Sequence, residues 1–257
     1  MPVRAEHDRA VLADLLCRDP ALHAYQLGDL DDFCWPYTSW FRRGDQVALL
    51  YHGGDPPVLI AHPVGGDVAG MSALLADLAP LLPARVYVHL SPGLHPALRD
   101  RFTLEQPAPH RRMVLTDPAG LRRVAPAGQP LAATDLPELE KLYEAAYPGS
   151  HFDARMLDTG HYLGVREGGD LVAVAGVHVW SPTYRVAALG NVTTHPAARG
   201  RGLAAAAVSA LCRRLAATVD TVALNVRADN TTARRLYARL GFTDAAEFDE
   251  GWLHARR

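Results

Sequence analysis

The sequence predicts an α/β protein made of two related units. Three observations carry this. Strand-like and helix-like patterns alternate along all 257 residues. The stretch 117–130, DPAGLRRVAPAGQP, has the Pro, Gly and Ala density of a connection between units. The segments on either side of it both end strand–helix–strand–helix–strand. The length can bury one large core or two ordinary ones, and the expected boundaries are 1–119 and 126–257.

In the first unit the periodicity predicts a helix from Arg9 to Cys17. Extended runs follow at 46–52 (QVALLYH) and 57–62 (PVLIAH), joined by a Gly-Gly-Asp-Pro turn. A helix near Ala69–Leu82, a strand at 85–90, a short helix near His95–Arg101 and a strand at 111–116 complete it. In the second unit a helix from Asp135 to Tyr147 is expected, with Thr134 or Asp135 as N-cap and Glu138 close to a capping-box position. Strands follow at 161–167, 171–180 and 184–194, the first two joined by a Glu167-Gly168-Gly169-Asp170 turn. Then come a helix from Gly202 to about Thr218, a strand at 221–227, a helix from Asn230 to Leu240 and a strand near 244–253. The segments IAHPVGGDVAG (60–70) and TTHPAARGRGLA (193–204) align on His-Pro followed by glycines, as an internal duplication would leave them.

Composition narrows the function. There are 26 basic and 28 acidic residues, for a net charge of −2, so the basic excess of a nucleic-acid binder is missing. Residues 1–119 carry −4 and residues 120–257 carry +2, a distribution that suits a small anionic ligand of the second unit. Hydrophobic content of 49% and mean hydropathy of −0.05 are globular values. The longest small-apolar run, Leu203–Cys212, is too short to span a bilayer, and the polar start does not read as a secretory leader. Cys17, Cys34 and Cys212 fit neither a disulfide framework nor a zinc site. The expectation is a cytoplasmic protein with no metal, membrane or nucleic-acid partner.

The most informative stretch is NVTTHPAARGRGLAAAAVSALCRRLA. A strand ends at His195-Pro196, a short loop follows, and Gly202 opens a helix with an apolar stripe of Leu203, Ala207, Leu211 and Leu215. Gly200 and Gly202 let the backbone approach a ligand closely, and the helix's first N–H groups and positive dipole end would face it. A pyrophosphate could be held there, with Arg199 or Arg201 adding charge; an ordinary turn into a helix has the same composition. Gly200-Arg201-Gly202-Leu203-Ala204-Ala205 also matches the dinucleotide fingerprint, with Asp220 further on. The acid, however, would precede its strand, and too little chain follows for a doubly wound sheet. A nicotinamide-dependent oxidoreductase is therefore the weaker reading.

Arg199-x-x-Gly202-x-Ala204 resembles the R/Q-x-x-G-x-G/A signature of the GNAT superfamily of acyl-CoA-dependent N-acyltransferases. The block LNVRADNTTARRLYARLGF (224–242) is similar to that family's second conserved block, with Asn230, Tyr237, Gly241 and Phe242 at its positions. The resemblance implies a GNAT-type mixed, mostly antiparallel sheet flanked by helices in 126–257 and a degenerate, cofactor-free copy in 1–119. It implies acetyl-CoA as donor and an amine of a small molecule or peptide as acceptor. Backbone groups of Val192, Thr193 and Thr194 would bind the pantetheine arm. Arg199, Gly200, Arg201, Gly202, Leu203 and Ala204 would cradle the pyrophosphate. Asn230 would contact the cofactor or cap its helix. Tyr237 would protonate the departing thiolate; its helical spacing with Ala233, Leu236 and Leu240 equally fits a core tyrosine.

A base is also required. Freeing a lysine-like amine at neutral pH costs on the order of 4–5 kcal/mol, which calls for proton abstraction by a positioned group. Many family members place a Glu on the strand before the pyrophosphate loop, and YRVAALGNVTT has no carboxylate. His178 on the neighbouring strand is one candidate, with Asn191 holding a water; Glu144, His151 and Asp153 are others. A non-catalytic acyl-CoA sensor would keep the loop and lack the base.

Overall fold

The computed structural model describes residues 2–256. In chain order the elements are β1 (Arg4–Ala5), α1 (Arg9–Leu16), α2 (Ala24–Gly28), β2 (Thr38–Arg43), β3 (Gln46–Tyr51), β4 (Val58–Ala61), α3 (Val68–Leu78), β5 (Arg85–Leu90) and β6 (Phe102–Leu115). After them come β7 (Gln129–Pro130), α4 (Leu136–Ala146), β8 (Leu163–Glu167), β9 (Asp170–Ser181), β10 (Val186–Thr194), α5 (Leu203–Leu215), β11 (Thr221–Arg227), α6 (Thr231–Arg239) and β12 (Phe242–Ala255). Two compact units result. Unit 1 takes the chain up to residue 112, residues 226–230 and the chain from 244 onward; unit 2 takes 113–225 and 231–243.

In unit 1 the strand order is β1-β2-β3-β4-β5-β12-β6. All the ladders defined there are antiparallel except β4 with β5, which α3 connects as a parallel crossover. Met71, Leu74, Leu75 and Leu78 of α3 pack on Ala48, Leu59, Ala61, Val86 and Val88, and Leu253 of β12 joins the same core. In unit 2 the order is β11-β10-β9-β8-β7, and the parallel pair is β10 with β11, connected by α5. The run β2-β3-β4-α3-β5 therefore has the topology of β8-β9-β10-α5-β11. This is the repeat that the two His-Pro segments suggested.

The C-terminal end of the chain departs from the expected boundary. Asp249–His254 pair with Leu90–Arg85 of β5, so the last strand completes the sheet of unit 1 although it follows unit 2 in sequence. The stretch 117–130 is also no loose linker. An Ala at Gly120 would put its Cβ 2.6 Å from the backbone of Leu240, and Leu121 is buried, its carbonyl accepting from Ser209 Oγ at 2.9 Å. The capping box expected before α4 does not form: Asp135 accepts from the Ala132 N–H and binds Arg166 instead. β6 extends far beyond the expected 111–116, crossing Pro107 and Pro109 with a distortion at Gln106, whose φ is +50°. The strand β2 and the helix α2 had no clear period and were not foreseen.

Candidate functional site

The glycine loop of unit 2 begins where β10 changes partners. β10 pairs with β11 only over Val186–Leu189, while its antiparallel ladder with β9 runs on to Thr194. Between these limits the β9 register slips by one residue, from Gly190 opposite Gly176 to Thr193 opposite Val174. The extra residue bends the strand. Asn191 takes the left-handed conformation there, φ +54°, which asparagine tolerates better than other non-glycine residues. Val192, Thr193 and Thr194 therefore continue the strand beyond the β11 ladder. Thr194 Oγ1 is buried with no hydrogen-bond partner among the described residues.

Two buried tyrosines fix this bulge. The Tyr143 hydroxyl donates to the Asn191 carbonyl at 3.1 Å. Asn191 Nδ2 donates to the Tyr162 hydroxyl at 2.9 Å and to the His151 carbonyl at 3.3 Å. Burial raises both phenol pKa values well above the ordinary tyrosine range, so each ring keeps its proton. Asn191 Oδ1, in contrast, finds no protein partner among the described residues.

After β10 the chain makes a short turn capped by His195 Nδ1, which accepts from Ala197 N at 3.3 Å. Gly200 and Gly202 sit at φ +78° and +79°, the left-handed region that glycine enters without strain, with open space where a side chain would be. The first hydrogen bond of α5 runs from Ala206 N to Gly202 O. The N–H groups of Leu203, Ala204 and Ala205 have no partner among the described residues, and no side chain caps the helix. Behind it Ala207, Leu211 and Leu215 are fully buried, while Leu203 is only partly so. Arg199 reaches back to the carbonyls of Thr194 and Ala146, both at 3.2 Å, and braces the loop against the end of α4. Arg201 forms a bidentate pair with Glu167 at 2.7 and 2.8 Å, so its charge is already partly balanced.

Unit 1 carries the same turn in a closed form. Gly65 and Gly66 follow His62-Pro63 with φ +63° and +75°, but the next residue is Asp67. Its carboxylate accepts from Gly70 N at 2.9 Å and caps α3. Gln46 engages both backbone groups of Val64, at 2.9 and 3.1 Å. An anion at this helix would have to displace a carboxylate.

Tyr237 on α6 is buried, with its ring edge-on to Phe242 at 5.8 Å. Its hydroxyl has no protein partner among the described residues. A tyrosine serving the core alone would normally have that group satisfied. Burial, then the neighbouring Tyr147 and Cys212, raise its pKa, so the phenol stays protonated. His178 occupies a second bulge, where Ala188 faces Val179 but Leu189 faces Val177. The strict alternation assumed from sequence is thus broken at this residue. Its ring lies on Gly190: a Cβ there would be 2.0 Å from His178 Cδ2.

The other base candidates separate. Glu144 is exposed on α4, and the His151 side chain is exposed. Burial pulls the Asp153 pKa upward, but hydrogen bonds from Arg155 outweigh it and leave the carboxyl below its ordinary value, a weak base. Asn230 immediately precedes α6 and lies in the 226–230 segment of unit 1. Asp220, the acid of the dinucleotide reading, stands at the start of β11, at the opposite end of the β10–β11 pair from the loop, and is bound by Arg185 at 2.5 and 2.7 Å. Tyr143 and Tyr162 were not anticipated; an Asn in the middle of a strand was the only sequence sign of the bulge they hold. No group of metal-ligating side chains and no helix long and apolar enough to cross a membrane occur among the described residues.

Comparison with known proteins agrees with this layout. A protein from Novosphingobium aromaticivorans described as a GNAT-family acetyltransferase is 27% identical, with 78% of this chain and 84% of that one covered and a TM-score of 0.58. A Drosophila protein superposes at a TM-score of 0.73 over 99% of this chain and 98% of its own, with 16% identity. A tandem GNAT protein from the clavulanic acid biosynthesis pathway matches at 0.59 over 98% of both chains, also with 16% identity. These last two speak to the fold alone. No curated protein matches the chain. The family model "Acetyltransferase (GNAT) family" matches residues 130–242, which contain the β10 bulge, the glycine loop and Tyr237: this segment is a GNAT acetyltransferase domain, in a chain whose two units share one topology.

Proposed function

We propose that unit 2 transfers an acetyl group from acetyl-CoA to a primary amine of a small molecule or peptide by direct attack. The observation that carries this is the uncapped, glycine-opened start of α5 beside a strand that has left its neighbour. The residues present fit such a donor. Gly200 and Gly202 leave open space at the loop, and three N–H groups of α5 are unpartnered. That is the chemistry a pyrophosphate requires. Val192, Thr193 and Thr194 offer backbone and the Thr194 hydroxyl to the pantetheine arm. Arg199 holds the loop's shape, and Arg201 contributes charge moderated by Glu167. When bound, acyl-CoA supplies an activated thioester.

The protein's own residues then divide the proton work. Tyr237 donates its proton toward the leaving sulfur; a thiol of pKa about 8.5 departs tolerably well, so this help is modest. His178 takes the proton of the attacking amine, directly or through a water accepted by Asn191 Oδ1, whose position Tyr143 and Tyr162 fix. Thiol release from acetyl-CoA with a panel of amines tests the reading. Tyr237→Phe should lower kcat by about 10²-fold or less with donor affinity kept. His178→Asn should lose activity selectively at low pH and approach the parent where the amine is already free. No thiol release with any amine, with tight acetyl-CoA binding retained, would make the protein a sensor instead.

A further inference from the structure

The last turn of α4 touches both ends of the candidate donor site. Tyr143 and Ala146 share that turn, in a helix anchored by buried Leu139 and Leu142. At one end the hydroxyl of Tyr143, a residue only 5% exposed, donates to the Asn191 carbonyl in the bulge at 3.1 Å. At the other, Arg199 Nη2 donates to the Ala146 carbonyl, and Nε of the same guanidinium donates to the Thr194 carbonyl, both at 3.2 Å.

The helix end calls for such a cation. The last carbonyls of an α-helix lack intrahelical partners, and the dipole favours a basic group beside them. α4 has no basic residue in its last turn, and it ends at Tyr147 with φ −150°, without a left-handed cap. Arg199 supplies the charge from another element. Both of its donors lie on one edge of a planar guanidinium, an arrangement that a lysine cannot copy. The chain between the bulge and α5 does not fix the span by itself. It passes through a single turn, Pro196–Ala198, and two glycines at positive φ with open space around them. The corresponding turn of unit 1, His62-Pro63-Val64-Gly65-Gly66-Asp67, has no arginine; there Gln46 holds Val64 from β3.

We propose that Tyr143 and Arg199 are positioning residues that use the last turn of α4 as a spacer, fixing the Asn191 bulge relative to the glycine loop so that the two ends of the donor site keep their shape together. The inference rests on the donor reading of unit 2 and refines it. Arg199 acts through two carbonyls and is not a ligand of the pyrophosphate.

The test is calorimetric titration of the full chain with acetyl-CoA. Arg199→Met should weaken binding by about five- to tenfold, the effect of a hydrogen bond or two at an exposed site. Arg199→Lys should weaken it as much, because one ammonium does not span both carbonyls. Tyr143→Phe keeps the buried ring and should cost a similar factor, although it sits at the end away from the pyrophosphate. The double variant Tyr143→Phe/Arg199→Met should lose little more than the weaker-binding single one, since either change already frees the span. If Tyr143→Phe does not fold, the two Arg199 variants decide. Lysine restoring affinity to within about twofold of the parent would make Arg199 a charge on the phosphate. Losses that multiply in the double variant would make the two residues independent contacts. Either result overturns the proposal, as does parental affinity in Arg199→Met. A parent that binds no acetyl-CoA refutes the donor reading itself, and the proposal with it.

Discussion

Replacing Gly202 by Asp tests whether the start of α5 holds the donor. At φ +79° a side chain costs about 1–2 kcal/mol, and less for Asp than for most residues. No atom lies within 4 Å of the new Cβ, and the carboxylate can cap the helix for about 1 kcal/mol in return. Stability should therefore change by about 1 kcal/mol or less, a Tm shift of no more than about 4 °C. Unit 1 shows the outcome already, in Asp67 on the Gly70 N–H at 2.9 Å. Binding should respond very differently. A carboxylate about 4 Å from a pyrophosphate charge is repelled by about 4 kcal/mol at an effective dielectric of about 20. Screening at this exposed loop reduces that, which leaves a loss of roughly 10²–10³-fold in acetyl-CoA affinity by calorimetry. Gly202→Asn is the uncharged control, tolerates the same φ, and should stay within about tenfold of the parent. Asp and Asn variants with equal affinity would remove the donor from this loop.

Because Asp67 and Gln46 occupy the corresponding turn of unit 1, titration should give one acetyl-CoA per chain; two equivalent sites would refute that reading. Ending the chain at residue 243 removes the partner of β5 and the Leu253 side chain from the core of unit 1. The truncated protein should lose cooperative unfolding of that unit by calorimetry and bind hydrophobic dye. Asp29 is buried, and burial raises its pKa to about 7 although a Cys34 hydrogen bond opposes this. The folded state thus keeps a proton that the unfolded state has released above about pH 4, so stability falls as pH rises from about 4 toward 7. Asp29→Asn should remove about 2 kcal/mol of that fall between pH 5 and 7, read from urea midpoints; an unchanged slope would show that the carboxyl is ionised in the fold.

What could be read from the sequence was what depends on near neighbours. Gly200 and Gly202 are legible because only glycine sits easily at positive φ, and the α5 stripe because a helix repeats its burial every turn. Tyr237 was legible as buried; its unpartnered hydroxyl was not, since that depends on what Tyr147 and Cys212 leave open. The Asn191 bulge escaped because two tyrosines distant in sequence impose it, and its slip also broke the alternation used to orient His178. Arg112 is fully buried where arginine normally stays at the surface; its burial follows from Tyr25, Leu22 and Phe248, none of them local. β6 runs through Pro107 and Pro109, which local strand preference disfavours, and its pairing is long-range. The pairing of β12 with β5 joins residues more than 150 positions apart, and no periodicity records it.

That pairing has a consequence for how the protein is made. A ribosome finishes the first 112 residues long before the strand that closes their sheet exists. Until residues 249–254 leave the exit tunnel, β5 has an open backbone edge and the nascent unit exposes apolar surface, the state most prone to aggregate or engage chaperones. Unit 2 must therefore be synthesised while unit 1 waits. Folding will be slow for the chain's size, since closing so long a loop comes before the reward of the contact. Premature termination before residue 249 damages unit 1, not the one being translated. For the same reason neither unit can be deleted as one contiguous segment, which ties the two together through successive rounds of mutation.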